Sequence, residues 1–219
     1  DFMAGKDSGQ NVFMLTSFNP GSGKSFLAMN IAMSFAIKKK RILVIDGDLR
    51  HGSTSSYVDS PKTGLSDYLG NRVSDWKEII VKDEKYDNLH IIPIGTVPPN
   101  PTELLEDGKL ATLIEVLRSE YDYIFIDCPP IDIVADAQII EKLADRTVFV
   151  VRSGLLDRSM LPELENIYQE KRFKNLSVIL NGTESAGGRY GYRYGYRNGY
   201  SSYYGNKGKM GGGKWMVIK

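Results

Sequence analysis

The chain has 219 residues, enough for one domain with a buried core, and its single cysteine, Cys128, excludes an internal disulfide and fits a reducing compartment. No apolar run approaches the roughly 18–20 residues of a membrane span and no secretory signal opens the sequence, so a soluble, cytosolic chain is expected. The net charge of +1 hides a division: residues from Ser185 onward carry seven Lys or Arg and no acid, whereas 1–184 carry 21 basic and 27 acidic residues.

Apolar runs of strand length occur at Val12–Thr16, Arg41–Asp46, Leu89–Ile94, Tyr123–Asp127, Thr147–Arg152 and Ser177–Asn181. They are nearly continuous, as strands buried on both faces of a parallel sheet are. Helix-like stretches lie between them at Lys24–Lys38, Lys109–Ser119, Ala135–Leu143 and Met160–Lys171. The alternation predicts an α/β fold with a doubly wound, mostly parallel sheet flanked by helices, of the P-loop NTPase type. Ligands of such sheets sit at the carboxyl ends of the strands, where Ser17, Asp46 and Asp127 fall. The expected domain spans 1–184. Residues 185–219 read as a disordered Gly/Tyr/Arg-rich tail, because 187–213 have almost no aliphatic side chain to offset ordering entropy. Trp215-Met216-Val217-Ile218 is too short to assign to an element.

Between the first strand and the first helix stands Asn19-Pro20-Gly21-Ser22-Gly23-Lys24-Ser25. A glycine-rich turn opening a helix presents backbone N–H groups and a positive dipole end to an anion. Gly21, Ser22, Gly23, Lys24, Ser25 and Phe26 form the expected nucleotide-binding set, with Lys24 on the β/γ-phosphates and Ser25 on Mg2+. The full pattern asks for a glycine where Phe18 stands; the bland alternative is a Gly-Ser loop that merely caps a helix. Asp46-Gly47-Asp48-Leu49-Arg50 ends the second strand run, and its two carboxylates share a side while the chain stays extended. A solvated Asp-Gly turn is the competing reading. Tyr123–Asp127 is an apolar strand ending in Asp, the pattern in which a carboxylate reaches Mg2+ through water. Cys128 reads as a small buried residue rather than a nucleophile, and His51 and His90 show no metal-ligand spacing.

Seven of the 13 tyrosines fall in the tail: Tyr190, Tyr192, Tyr194, Tyr196, Tyr200, Tyr203 and Tyr204, interleaved with Arg189, Arg193 and Arg197. Composition leaves two readings open, a tract that stacks on single-stranded nucleic acid and a cluster of phosphate acceptors. An adjoining ATP site favours the second.

On the glycine turn, Asp46–Arg50, Asp127, Gly64-Leu65-Ser66-Asp67-Tyr68-Leu69, Pro98–Leu105 and the tyrosine-rich tail, the chain resembles the bacterial tyrosine kinases of capsular and exopolysaccharide assembly. The resemblance implies ATP-dependent autophosphorylation of the tail tyrosines, with ATP and Mg2+ as cofactors. It implies roles for Lys24 on the phosphates, Ser25, Asp48 and Asp127 as metal ligands, and Asp46 in orienting or deprotonating the acceptor phenol. Arg50 and Arg152 would add positive charge at the transferring group, and Asn181 would contact adenine. It further implies a ring-type homo-oligomer exchanging tails in the intact protein, and leaves both ring and monomer open for this fragment. Other implied partners are a membrane-spanning activator or a transmembrane region of the kinase itself, and a protein-tyrosine phosphatase. The place of action would be the cytoplasmic face of the inner membrane, in control of polysaccharide polymerisation and export.

The runner-up is a partitioning or division-site ATPase, which would place a signature lysine where Asn19 stands. A nucleic-acid-binding module is the third reading. The acidic body offers it no continuous basic face, and no nucleic acid is expected as a partner.

Overall fold

The computed structural model describes residues 9–131, 135–183 and 214–218. Strands run Val12–Thr16 (β1), Ile42–Asp46 (β2), Val81–Lys82 (β3), Leu89–Ile92 (β4), Tyr123–Asp127 (β5), Arg146–Arg152 (β6), Ser177–Thr183 (β7) and Lys214–Ile218 (β8). Helices run Lys24–Ile37 (α1), Leu65–Leu69 (α2), Pro101–Glu106 (α3), Lys109–Glu120 (α4), Asp136–Glu141 (α5) and Leu161–Gln169 (α6). They flank one sheet of order β3-β4-β2-β5-β1-β6-β7-β8. The contacts from β4 through β7 are parallel, and β3 and β8 pair antiparallel at the two edges.

Every residue of β1, β2 and β5 is buried, as expected of central parallel strands covered on both faces. Alternate residues divide between two cores. Phe13, Leu15, Ile42, Val44, Tyr123 and Phe125 pack with Leu27, Ala28, Ala32 and Ala36 of α1. Val12, Met14, Leu43, Ile45, Ile124 and Ile126 pack with Leu113, Leu117 and Ile140 on the other face. Continuing the alternation, Asp46 and Asp127 fall on the α1 face. They also lie opposite one another in the β2–β5 register.

Four expected helices and six expected strands are present, with ends shifted by up to two residues. The antiparallel edge strand β3 and the short helices α2 and α3 had no sequence assignment. Fewer than two turns give too short a period to read; α2 is held by Asp67, whose carboxylate accepts the Gly64 N–H at 3.0 Å, and α3 begins on Pro101. Residues 214–218, left without an element by the sequence, add β8. The acceptor tyrosines and the disorder expected over 187–213 lie outside the described residues.

Phe18, the departure from the generic turn pattern, is buried and meets Phe149 of β6 edge-on at 4.9 Å between centroids. It pins the start of the glycine turn into the core. Phe18→Ala is expected to cost ~3–5 kcal/mol, read by chemical denaturation of the nucleotide-free protein; a loss under ~1 kcal/mol would contradict this anchoring.

Candidate functional site

The turn from Asn19 to Gly23 leads from β1 into α1. Gly23 has φ 94°, and a Cβ there would collide with the Asn181 amide, so both conformation and space require glycine. The first turn of α1 has no side-chain cap and no acidic residue, which leaves its N–H groups and positive dipole end uncompensated by the protein. The turn is braced from inside: the Ser17 and Ser22 hydroxyls each donate to the Asn19 carbonyl at 2.8 Å. Two residues from distant strands brace it from outside. Asn181 Nδ2 donates to the Ser22 carbonyl at 2.8 Å and Arg152 Nη1 to the Gly21 carbonyl at 2.7 Å. Both were expected to face the nucleotide; here each holds the cradle's backbone. Lys24 is buried at the head of α1, while Phe26 is half exposed on its outer side.

Beside the turn, Asp46 Oδ2 accepts the Ser55 N–H and the Ser55 hydroxyl, each at 2.7 Å, and Oδ1 is buried without a partner. Asp127 Oδ2 accepts the Thr54 hydroxyl at 2.7 Å, and its Oδ1 is likewise buried and unpartnered. Burial, and then the neighbouring Asp127, pushes the Asp46 carboxyl up to about 7 against the two Ser55 bonds. Burial also raises Asp127, against the Ser25 and Thr54 hydroxyls and the Lys24 ammonium. Two orphaned carboxylate oxygens with the Ser25 hydroxyl nearby are hard donors suited to a small divalent cation.

Asp48 does not continue the strand. After Asp46 the Gly47 N–H bonds the Asp127 carbonyl at 2.8 Å, and the chain turns. The Asp48 carboxylate then accepts the Arg50 and His51 N–H groups at 3.2 and 3.3 Å and meets His51 Nδ1 at 3.1 Å. The expectation that Asp46 and Asp48 share a side of an extended chain fails, because the β2 ladder ends at Asp46. Arg50 is also tied elsewhere. Its Nε lies 3.2 Å from Asp136 Oδ2 and its Nη2 donates to Thr102 Oγ1 at 3.0 Å, while Thr102 donates to Asp136 Oδ1 at 2.6 Å. The fully buried Asp136 thus joins the first turns of α3 and α5 to the Asp48 turn. Cys128 is buried with its thiol pushed well up by burial, as suits a packing residue.

Thr54, Ser55, Thr102 and Asp136 had been missed. The only sequence signal was the run of hydroxyl residues at 53–56, close behind the paired aspartates.

A family model described as an AAA domain matches residues 11–153. The tyrosine-protein kinase CpsD of Streptococcus pneumoniae is 35% identical over 200 residues, covering 90% of this chain and 84% of that protein. The chain belongs to the bacterial protein-tyrosine kinases. The kinase domain of the Escherichia coli tyrosine kinase ETK superposes with a TM-score of 0.73 at 32% identity, over 84% of this chain and 72% of that one. The septum site-determining protein MinD from Pyrococcus horikoshii, complexed with Mg-ADP, shares the fold at a TM-score of 0.63 and 21% identity, over 77% of this chain and 69% of that chain. The fold is therefore that of a P-loop NTPase-type kinase, as expected from the alternation of elements. No helix among the described residues is long and apolar enough to cross a membrane.

Asp46 binds a proton in the folded chain over a range where the unfolded chain, at an ordinary 3.8, has released it. This contribution to stability is present below the ordinary value and lost as pH rises through about 7. Asn cannot ionise and can still accept both Ser55 bonds. Asp46→Asn is therefore expected to exceed the natural chain in stability at pH 8 by ~1–4 kcal/mol, at ~1.4 kcal/mol per pKa unit, with the gap closing toward pH 4. Urea denaturation without nucleotide or divalent metal reads this difference; equal stability at pH 8 would refute it.

Proposed function

We propose that this kinase transfers the γ-phosphoryl group of ATP to the tyrosines of its own tail, Tyr190 to Tyr204, or to those of a neighbouring copy. The bond from the bridging oxygen to the γ-phosphorus breaks, a bond from the phenol oxygen forms, ADP departs and the phenol proton passes to Asp46. The observation that carries this reading is the buried pair Asp46 and Asp127, each with one unpartnered oxygen, beside the uncapped start of α1.

The glycine turn and α1 bind the phosphates, and Lys24 neutralises their charge. Ser25, Asp48 and Asp127 are the residues that would hold Mg2+; when bound, the ion supplies charge neutralisation at the phosphates. The orphaned oxygen of Asp127 and the oxygen-only donor set fit that ion. Asp46, with a carboxyl at about 7, is matched to accept a proton from a phenol near neutral pH, where tyrosine itself, near 10, ionises poorly. Ser55 orients it through two bonds to one oxygen and leaves the other for the phenol. Arg50, held by Asp136 and Thr102, contributes positive charge near the mouth, and Arg152 and Asn181 fix the shape of the cradle.

The resemblance to the tyrosine kinases of capsular and exopolysaccharide assembly supports a place in controlling polysaccharide polymerisation and export at the inner face of the bacterial membrane. Under this reading the intact system includes a membrane-spanning activator or the kinase's own transmembrane region, a phosphatase, and a ring of copies that exchange tails.

Intact-mass analysis after incubation with Mg-ATP tests the proposal. Phosphates mapping to Tyr190–Tyr204 are expected, and Lys24→Met should lower the yield at least ~100-fold, the scale of removing one electrostatic contact to the transition state. ATP hydrolysis with no tyrosine modified would instead favour the partitioning-type ATPase that shares the fold.

A further inference from the structure

Asp136 is fully buried at the start of α5 and takes no direct part in the transfer written above. A carboxylate out of water needs a counter-charge and hydrogen bonds to its oxygens. Asp136 draws both from residues far away in sequence. Oδ2 lies 3.2 Å from Arg50 Nε, and Oδ1 accepts the Thr102 hydroxyl at 2.6 Å. Arg50 Nη2 donates in turn to Thr102 Oγ1 at 3.0 Å, which closes a ring of three contacts. Among the described residues, Arg50 is the one cation within ion-pair distance of Asp136. The three partners come from three loops at the carboxyl edge of the sheet. Arg50 follows β2, Thr102 follows β4 by way of Pro98-Pro99-Asn100-Pro101, and Asp136 follows β5.

Each member of this clasp is fixed from behind. Two of the three Arg50 nitrogens are engaged, and the planar guanidinium allows little freedom once two are set. The loop that carries Thr102 is held at its base, where the Ile94 N–H donates to the Ser55 hydroxyl at 2.8 Å and the Thr96 N–H to Asp67 Oδ2 at 3.0 Å. At the other end of Arg50, its backbone N–H donates to Asp48 Oδ1 at 3.2 Å, and the His51 N–H reaches the same oxygen at 3.3 Å. The β2 ladder ends at Asp46 and the last bond to β5 is that of Gly47, so beyond that point the sheet does not hold the chain. Arg50 is therefore a strut. Its guanidinium is pinned to α3 and α5, and its backbone aims the Asp48 carboxylate.

We propose that Asp136 is a positioning residue for the metal site: acting through Arg50, and supported by the Thr102 hydroxyl, it fixes the direction of the Asp48 carboxylate. The inference rests on the assignment of Asp48 to the Mg2+ set above. Groups that orient a ligand without touching the ion commonly change metal affinity by ~10–100-fold when removed. The consequence is selective. The phosphate cradle is held by Asn181 and Arg152 through contacts that the clasp does not share, so loss of Asp136 weakens nucleotide binding only where metal contributes to it.

Titration calorimetry of the full chain with ADP, with and without Mg2+, gives the ratio by which metal tightens nucleotide. Asp136→Asn should lower that ratio ~10-fold, or to unity if the natural ratio is smaller, and leave metal-free ADP affinity within ~2-fold. Thr102→Val keeps the shape without the hydroxyl and should lower the ratio in the same direction, whereas Thr102→Ser should restore it. Arg50→Ala should lower it as far as Asp136→Asn does. The double variant should lie within ~2-fold of Arg50→Ala alone, because residues acting along one line of contacts do not add. A ratio unchanged in Asp136→Asn and Thr102→Val, or losses that multiply in the double variant, would overturn the positioning role. An equal loss of affinity with and without metal would overturn it too, since the clasp would then only support the fold. Should Asp136→Asn or Arg50→Ala fail to fold, the Thr102→Val and Thr102→Ser pair decides. A natural ratio of one would sink the metal assignment and this inference with it; a natural ratio well above one that every variant preserves would sink the inference alone.

Discussion

Two carboxylates at the ends of adjacent parallel strands, in register and out of water, set the terms for the rest of this site. Asp46 and Asp127 are paired residues of β2 and β5, both essentially unexposed. Like charges this close in a region of low polarity cannot both ionise without compensation. The protein supplies only part of it: Ser55 satisfies one oxygen of Asp46 and Thr54 one of Asp127, and Lys24 lies close enough to lower Asp127. One oxygen of each is left over. Under the proposed reading, a site kept short of positive charge in this way would be completed by a cation, and Asp46 becomes a better proton acceptor as the pH passes neutrality.

The fold delivers that pair without special geometry. Alternation along β2 and β5 directs both side chains to the face that α1 covers, and the turn from β1 starts α1 at the same edge. Phe18 holds the turn from beneath through Phe149, while Asn181 and Arg152 hold it from the flank through its carbonyls. The cradle is therefore fixed by strands β6 and β7 as well as by its own glycines. This explains why a turn lacking the usual first glycine still takes the cradle's shape.

Much of this was legible in the chain. The three central strands announce themselves as unbroken apolar runs because they are buried on both faces, and the glycine turn followed by Lys24-Ser25 marks the start of α1. Asp46 and Asp127 are readable because each ends such a run. What escaped depends on contacts between residues far apart in sequence. Thr54 meets Asp127 across 73 positions and Arg50 meets Asp136 across 86, with no local pattern to announce either. Asp48 was placed beside Asp46 on the condition that the chain stay extended past the strand, and it does not: Gly47 bonds the Asp127 carbonyl and the chain turns. β8 was passed over because five residues carry no period, and only the open edge of β7 gives them a partner.

The most direct test of the charge deficit is proton release on binding of Mg-ADP, measured by titration calorimetry in buffers of different ionisation enthalpy. Asp46, at about 7, is half protonated at neutral pH. A cation brought beside it should lower its pKa, releasing ~0.5 proton per site at pH 7 and more at pH 6, and Asp46→Asn should abolish most of that release. Binding with the same apparent enthalpy in every buffer would contradict the account, because it would mean that the buried pair is already fully ionised and compensated before nucleotide and metal arrive.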